Sequence, residues 1–343
     1  MISLIPAIIV SFLVATTMTG MMRSYAIRKN ILDIPVDRSS HTIPTPRGGG
    51  VAIVLAFCIL LVAAYLAEAV PLDTALALLL PGLLTAIVGF LDDHGHIRAG
   101  VRLFFHFLSA ASALYFLSGF PGIVIGGYGI QLGWAGILFG LFFLVWMLNL
   151  YNFMDGINGI AGCQAITFGL QSLIVIALST TATLPLDTML CLGLLAGSSA
   201  GFLLWNYPKA KIFMGDAGSG FLGMTIGILV LIVTRENNNL FFAEIILLGV
   251  FIVDATLTLI RRILRGKKPY EAHASHTYQI LSRRFDSHTP VTAASVLISI
   301  FWLMPFSLAA ATAKIDGLFA LAIAWAPLVV VAWRCGAGVK DKT

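Results

Sequence analysis

The residues of this chain that could do chemistry stand in short polar segments between long apolar runs. In "GFLDDHG", Asp92 and Asp93 are adjacent at the end of such a run. Neighbouring carboxylates repel, and holding both ionised is easiest beside a cation. On a helix they point about 100° apart, so they serve one site only if it lies between those directions. In "NLYNFMDGINGIAG", Asn149, Asn152, Asp155 and Asn158 recur at every third position. A straight helix would drift about 60° at each step and spread them over half its surface. Gly156 and Gly159 instead predict a break that turns the later residues toward one pocket. Asparagine and aspartate offer oxygen ligands for a hard cation and donors for a base or sugar. Asparagines that merely join helices by hydrogen bonds would account for one or two of them.

Three further segments have the same character. In "YPKAKIFMGDAGSG", Asp216 is flanked by Gly215 and Gly218 just before another apolar run. It is suited to a metal, to a neighbouring phosphate, or to capping the helix that follows. Lys211 in that segment adds positive charge for an anionic substrate. "DRSSHTIPTPRGGG" sets His41 and Arg47 ahead of three glycines. A helix start with exposed amides suits an anion, and the loop reads equally well as a basic turn. "RRILRGKKPYEAHASHTYQILSRR" places His273 and His276 among many basic residues, suited to a polyanion or to anionic lipid.

The elements that must position these residues are membrane helices. Of the 343 residues, 59% are hydrophobic and only 11% charged, against about a quarter charged in an ordinary soluble domain. Runs of about 20 apolar residues are long enough to cross a bilayer as helices. The expected fold is an all-α polytopic bundle of ten or eleven transmembrane helices, one integral-membrane domain over 1–343. Spans are predicted at 2–22, 49–68, 72–91, 102–119, 134–151, 159–179, 184–205, 217–234, 241–260, 290–312 and 316–333. The first has its positive charges after it, which predicts a retained helix with the N-terminus outside. With that alternation, all but Arg235 and Lys314 of the 21 Lys and Arg residues fall on one side. The positive-inside rule makes that side cytoplasmic. Every chemistry-bearing segment lies there, and the longest polar loop is about 261–289. Glu68, Asp73, Asp187, Glu236, Glu244 and Asp316 on the other side read as solvated loop charges. Cys58, Cys163, Cys191 and Cys335 have no disulfide or metal spacing.

The ordered set "PTPRGGG", "GFLDD", "NFMDGINGIAG" and "FMGDAGSG" resembles the polyprenyl-phosphate N-acetylhexosamine-1-phosphate transferases, the family of the WecA and MraY enzymes. Within it, the WbpL-like branch that starts O-antigen synthesis is the most similar in feel. The resemblance implies a bacterial inner-membrane enzyme with its site on the cytoplasmic face. Such an enzyme moves an N-acetylhexosamine-1-phosphate (GlcNAc, FucNAc or QuiNAc type) from a UDP-sugar to undecaprenyl phosphate, releasing UMP. By the same resemblance, Asp92 and Asp93 match a catalytic pair, while Asn152 and Asp216 match residues that hold Mg²⁺, for which Mn²⁺ can stand in. Asp155 matches an aspartate that some relatives keep. Asn158 falls at a uracil contact and Arg102 where a basic residue meets the pyrophosphate. The last loop departs from the family's His-x-His-His cluster: in "HASHTYQ" His276 aligns with it and His273 sits three residues earlier.

The implied partners are the UDP-N-acetylhexosamine, undecaprenyl phosphate and the bilayer. Nucleic acid is not expected, and a homodimer is compatible with such a bundle. Two other classes fit less well. A secondary transporter would place its polar residues near the membrane midplane. A CDP-alcohol phosphotransferase would carry Asp-Gly-x-x-Ala-Arg, whereas Asp155 and Gly156 are followed by Ile157, Asn158 and Gly159.

Overall fold

The computed structural model describes residues 3–35, 43–95, 97–179, 185–268, 271 and 273–339. Its helices are α1 (Leu4–Arg28), α2 (Gly50–Leu66), α3 (Leu72–Gly95), α4 (Ala99–Phe116), α5 (Gly133–Met154), α6 (Ile160–Ser179) and α7 (Leu186–Asn206). They continue as α8 (Asp216–Glu236), α9 (Leu240–Leu247), α10 (Gly249–Leu264), α11 (Thr277–Arg284), α12 (Thr289–Ile298), α13 (Met304–Ala311) and α14 (Gly317–Cys335). A π-helical turn, Ser299–Leu303, joins α12 to α13. Two small antiparallel hairpins complete the described elements: β1 (Leu32–Asp33) with β2 (Thr45–Pro46), and β3 (Ile123–Ile125) with β4 (Tyr128–Ile130).

The architecture is the expected all-α membrane bundle. Among the described residues nine helices are long and apolar enough to cross a bilayer, and the bent pair α9–α10 makes ten. Such helices satisfy every backbone hydrogen bond internally, as hydrocarbon requires. Helix α8 is the hub. Its apolar stretch is wholly buried, and it packs against α3 and α5, with α2 and α9 beside it. Phe221 on α8 meets Phe57 on α2 edge-on, ring centres 5.6 Å apart. The outer helices α1, α4 and α14 instead expose Ile9, Leu13, Phe104, Leu108, Phe319 and Val330, the surface a lipid-facing helix presents.

Helix α2, Gly50–Leu66, falls on the predicted span 49–68 and at 17 residues is at the short end of the range that crosses a hydrocarbon core. One predicted span is corrected. The predicted span 241–260 is broken at Leu248, where α9 and α10 meet at 74°. Beside the elbow Gly249 packs tightly, and a Cβ there would stand 2.6 Å from Trp325 Nε1. Glu244 is not a solvated loop charge either. It is fully buried within α9 and accepts a hydrogen bond from the Ser172 hydroxyl. Asp316 does lie at a loop, where it caps α14 through the Leu318 and Phe319 amides at 3.1 and 3.2 Å and accepts from Gly126 N at 2.6 Å.

The site end of the bundle is set by backbones in direct contact. A Cβ on Gly218 of α8 would stand 2.5 Å from Gly50 Cα of α2, and one on Gly89 of α3 would stand 2.5 Å from the Asp216 carbonyl. No side chain fits between these three helices. Substituting Gly89→Ala is therefore expected to cost about 1–3 kcal/mol by overpacking and to lower the thermal midpoint of the detergent-solubilised protein. Gly95→Ala, six residues on with nothing within 4 Å of its Cβ position, should leave it unchanged. Equal midpoints for the two variants would contradict this packing.

Candidate active site

The "PRGGG" and "FMGDAGSG" segments are zipped together by main-chain hydrogen bonds. Phe213 N donates to Pro46 O at 2.8 Å, Gly49 N to Phe213 O at 2.8 Å and Gly50 N to Met214 O at 2.9 Å. Gly215 adopts φ +78°, and a Cβ there would come within 2.7 Å of Asp93 Oδ2. This turn delivers Asp216 to the first residue of α8, where its amide donates to Asp93 at 2.9 and 3.2 Å. Asp93 thus caps α8 from the end of α3, a favourable place for negative charge. Arg47 completes the cluster. Its Nη2 lies 2.6 Å from Asp93 Oδ1 and 3.1 Å from Asp216 Oδ1. Burial works against the Arg47 cation, but Asp93 and Asp216 more than offset it, so its pKa is raised.

The adjacent aspartates part company. Asp93 faces Arg47 and α8, with a side chain only 5% exposed. Asp92 pairs with Arg102 of α4 and accepts from Ile97 N at 2.7 Å. The two neighbours thus turn to different guanidinium groups, Asp93 to Arg47 and Asp92 to Arg102, which eases their mutual repulsion.

The asparagine segment breaks where the glycines predicted. Helix α5 ends at Met154, and Asp155 is its C-cap. Gly159 turns the chain at φ +78°, and its amide donates to Asn206 Oδ1 at 2.7 Å. Asn152 Nδ2 donates to Ser219 Oγ of α8 at 3.0 Å, Asn149 Nδ2 to Val145 O at 2.7 Å and Asn158 Nδ2 to Pro208 O at 3.1 Å. Burial pushes the Asp155 carboxyl up to about 7, reinforced by Asp216 and Asp93 and partly relieved by Arg47.

A cavity of about 1080 Å³ gathers these groups. Arg47, Arg102, Asn149, Asn152, Asp155, Asn158, Asp216, His273 and His276 all line it. Leu103 and Phe107 of α4 with Phe142, Val145 and Trp146 of α5 give it an apolar wall. Asp93 lies behind this surface, bonded to Asp216 and Arg47. Lys211 is not brought in: its ammonium lies over the Trp205 ring, 5.6 Å from the centre. His41 lies outside the described residues.

Several lining or supporting residues escaped the sequence reading. His106 lines the cavity one turn after Arg102. Asn206 holds the Gly159 turn and donates to Ile212 O at 2.9 Å. Tyr278 donates from its hydroxyl to Phe153 O at 2.8 Å and packs where a Gly156 Cβ would be. Asp254 of α10 holds the start of α11, beside His276. An acid inside an apolar span was the signal available for Asp254.

Among the described residues no three His, Cys, Asp or Glu side chains are grouped closely enough to hold a metal. The oxygen chemistry of Asn152, Asp155 and Asp216 nevertheless suits a hard cation, and burial, with Asp216 and Asp93 nearby, makes the Asp155 carboxylate costly to ionise on its own. With chelator present, folding keeps Asp155 protonated to higher pH than in the unfolded chain. Its ionisation therefore subtracts stability progressively as pH rises from about 4 toward 7. Asp155→Asn should raise the thermal midpoint in EDTA more at pH 8 than at pH 5; a gain independent of pH would contradict this.

Comparison with known proteins adds the lineage. A family profile described as glycosyl transferase family 4 matches residues 75–234. The chain is 33% identical over 325 residues to a probable undecaprenyl-phosphate N-acetylglucosaminyl 1-phosphate transferase of Bacillus subtilis, covering 92% of this chain and 86% of that protein. It is 28% identical over 323 residues to a decaprenyl-phosphate N-acetylglucosaminephosphotransferase of Mycobacterium leprae, covering 83% and 77%. It is also 34% identical over 212 residues to a phospho-N-acetylmuramoyl-pentapeptide-transferase of Borrelia garinii, covering 53% and 58%. Bundle, motif order and full-length similarity agree: this chain belongs to the polyprenyl-phosphate N-acetylhexosamine-1-phosphate transferase family.

Proposed function

We propose that the protein transfers an N-acetylhexosamine-1-phosphate from a UDP-sugar to undecaprenyl phosphate, releasing UMP and starting a lipid-linked O-antigen or other envelope polysaccharide. The observation that carries this reading is one cavity with two kinds of wall. Carboxylates, amides and guanidinium groups line one part, and Leu103, Phe107, Phe142, Val145 and Trp146 line another. A water-soluble anionic donor and a lipid-borne phosphate can meet in such a space. The names of the relatives, which are hexosamine phosphotransferases acting on polyprenyl phosphates, support it. The distribution of Lys and Arg supports a cytoplasmic site in a bacterial inner membrane.

Phosphoryl transfer needs positioning and charge neutralisation more than covalent help. Asn152, Asp155 and Asp216 are the residues that would hold Mg²⁺, or Mn²⁺ in its place. When bound, the ion supplies Lewis-acid stabilisation of the diphosphate charge. Arg47 and Arg102 add fixed positive charge, and His276 lines the same cavity. Asn149 and Asn158 offer amides to the sugar and base. The second pKa of a phosphate monoester is about 6, so the acceptor phosphate is already mostly dianionic at neutral pH. A strong general base is not required. Asp93, held by Arg47 and the Asp216 amide, organises the site, and Asp92 holds Arg102 at the cavity.

The test is purified protein given undecaprenyl phosphate and, side by side, UDP-linked GlcNAc, FucNAc and QuiNAc. At least one donor should give UMP release that chelator abolishes and Mg²⁺ restores, and Asp216→Asn should lower it by about 100-fold or more. No UMP from any donor, or release indifferent to the Asp216 change, would overturn the reading.

A further inference from the structure

The bend at Leu248 gives α10 an inside-out pattern. Ile260, Ile263 and Leu264 are exposed, while Asp254, Thr258 and Arg262, spaced one turn apart, are buried. Asp254 does not line the cavity, so its cost in an apolar helix needs another explanation. A buried carboxylate is tolerated when its lone pairs are filled. Here Oδ1 accepts from Thr277 N at 2.8 Å and from Thr258 Oγ1 at 3.2 Å, and Oδ2 accepts from Tyr278 N at 3.0 Å. Thr277 and Tyr278 are the first two residues of α11 and His276 is its N-cap. Asp254 therefore caps α11 from another helix, supplying the negative charge that a helix start favours.

The same carboxylate reaches the ring of the N-cap residue. Asp254 Oδ1 lies 3.7 Å from the buried His276 Nδ1, in contact but beyond hydrogen-bond reach. Aromatic neighbours hold the imidazole plane: Phe153 at 6.2 Å, Tyr278 at 5.7 Å and His273 at 4.8 Å between ring centres. Gln279 Oε1 accepts from the His276 amide at 3.2 Å. The carboxylate thus packs against the Nδ1 side of a ring that lines the cavity, a contact that limits how the ring can turn.

We infer that Asp254 is a positioning residue for the donor site, setting both the start of α11 and the ring orientation of its N-cap His276 so that His276 presents its ring to the donor diphosphate. The inference rests on the transfer reading above and extends it to a residue outside the cavity. It predicts that Asp254 acts on donor binding only through His276.

The experiment is a double-mutant cycle in UDP-GlcNAc dissociation constant, measured on full-length protein in detergent with Mg²⁺, alongside kcat and KM. Asp254→Asn and His276→Gln should each weaken UDP-GlcNAc binding about 10-fold or more, and the double variant should be no weaker than His276→Gln alone. KM for undecaprenyl phosphate should stay unchanged. Should Asp254→Asn fail to fold, Thr258→Val loosens the same carboxylate more gently. It should weaken binding severalfold in the native protein and have no effect in the His276→Gln background. Multiplicative losses in either cycle, or native binding by both Asp254→Asn and Thr258→Val, would overturn the inference. Wild-type turnover tests the transfer reading and the binding cycle tests the coupling, so each can fail alone; no binding of UDP-GlcNAc by the native protein would overturn this inference.

Discussion

The site depends on three helix ends that touch backbone to backbone. Where Gly50 meets Gly218 and Gly89 meets the Asp216 main chain, α2, α3 and α8 approach more closely than any side chain allows. That approach carries Arg47, Asp93 and Asp216 to within hydrogen-bond reach of one another. The glycines, the main-chain zipper from Pro46 to Met214 and the turn at Gly215 serve the same end. They place two carboxylates and a guanidinium, from three separate parts of the chain, in one wall at the tip of a buried helix. Because α8 is enclosed on all sides by apolar packing, this wall is as rigid as the bundle itself.

Charge balance then divides the labour. Asp92 and Asp93, neighbours in sequence, turn to different guanidinium groups, so the acid-rich rim carries fixed counter-charges before any substrate arrives. Asp155 belongs to the same acid cluster. It is pushed up to about 7 by burial and by the nearby acids, and it stands with Asn152 and Asp216 where oxygen donors face the same cavity. The remaining walls are apolar and come from α4 and α5. The proposed reaction, a hexosamine phosphate passed to a lipid phosphate, needs such a division of surface.

The sequence made the helices and the clustering of polar segments legible, because hydrocarbon length and the cost of charge in lipid act locally. The break after Met154 was readable from Gly156 and Gly159 for the same reason. What escaped was set by distant partners. Glu244 looked like a loop charge, yet Ser172 on another helix takes it into the core. Span 241–260 looked continuous, but the Trp325 ring fits against Gly249 and the chain bends. Lys211 looked poised for an anion and instead lies over Trp205. Asp254 and His106 are single polar residues in apolar runs, and nothing nearby in the sequence names their partners.

The central claim is that the hexosamine and its phosphate move to the lipid as one unit in this cavity. The most direct measurement uses UDP-GlcNAc, or whichever N-acetylhexosamine donor proves active, radiolabelled at the β-phosphate, with undecaprenyl phosphate and purified protein. The account predicts that the label passes into the organic phase with the sugar while unlabelled UMP stays in water. Label retained in water as UDP, with only the sugar in the lipid, would contradict it.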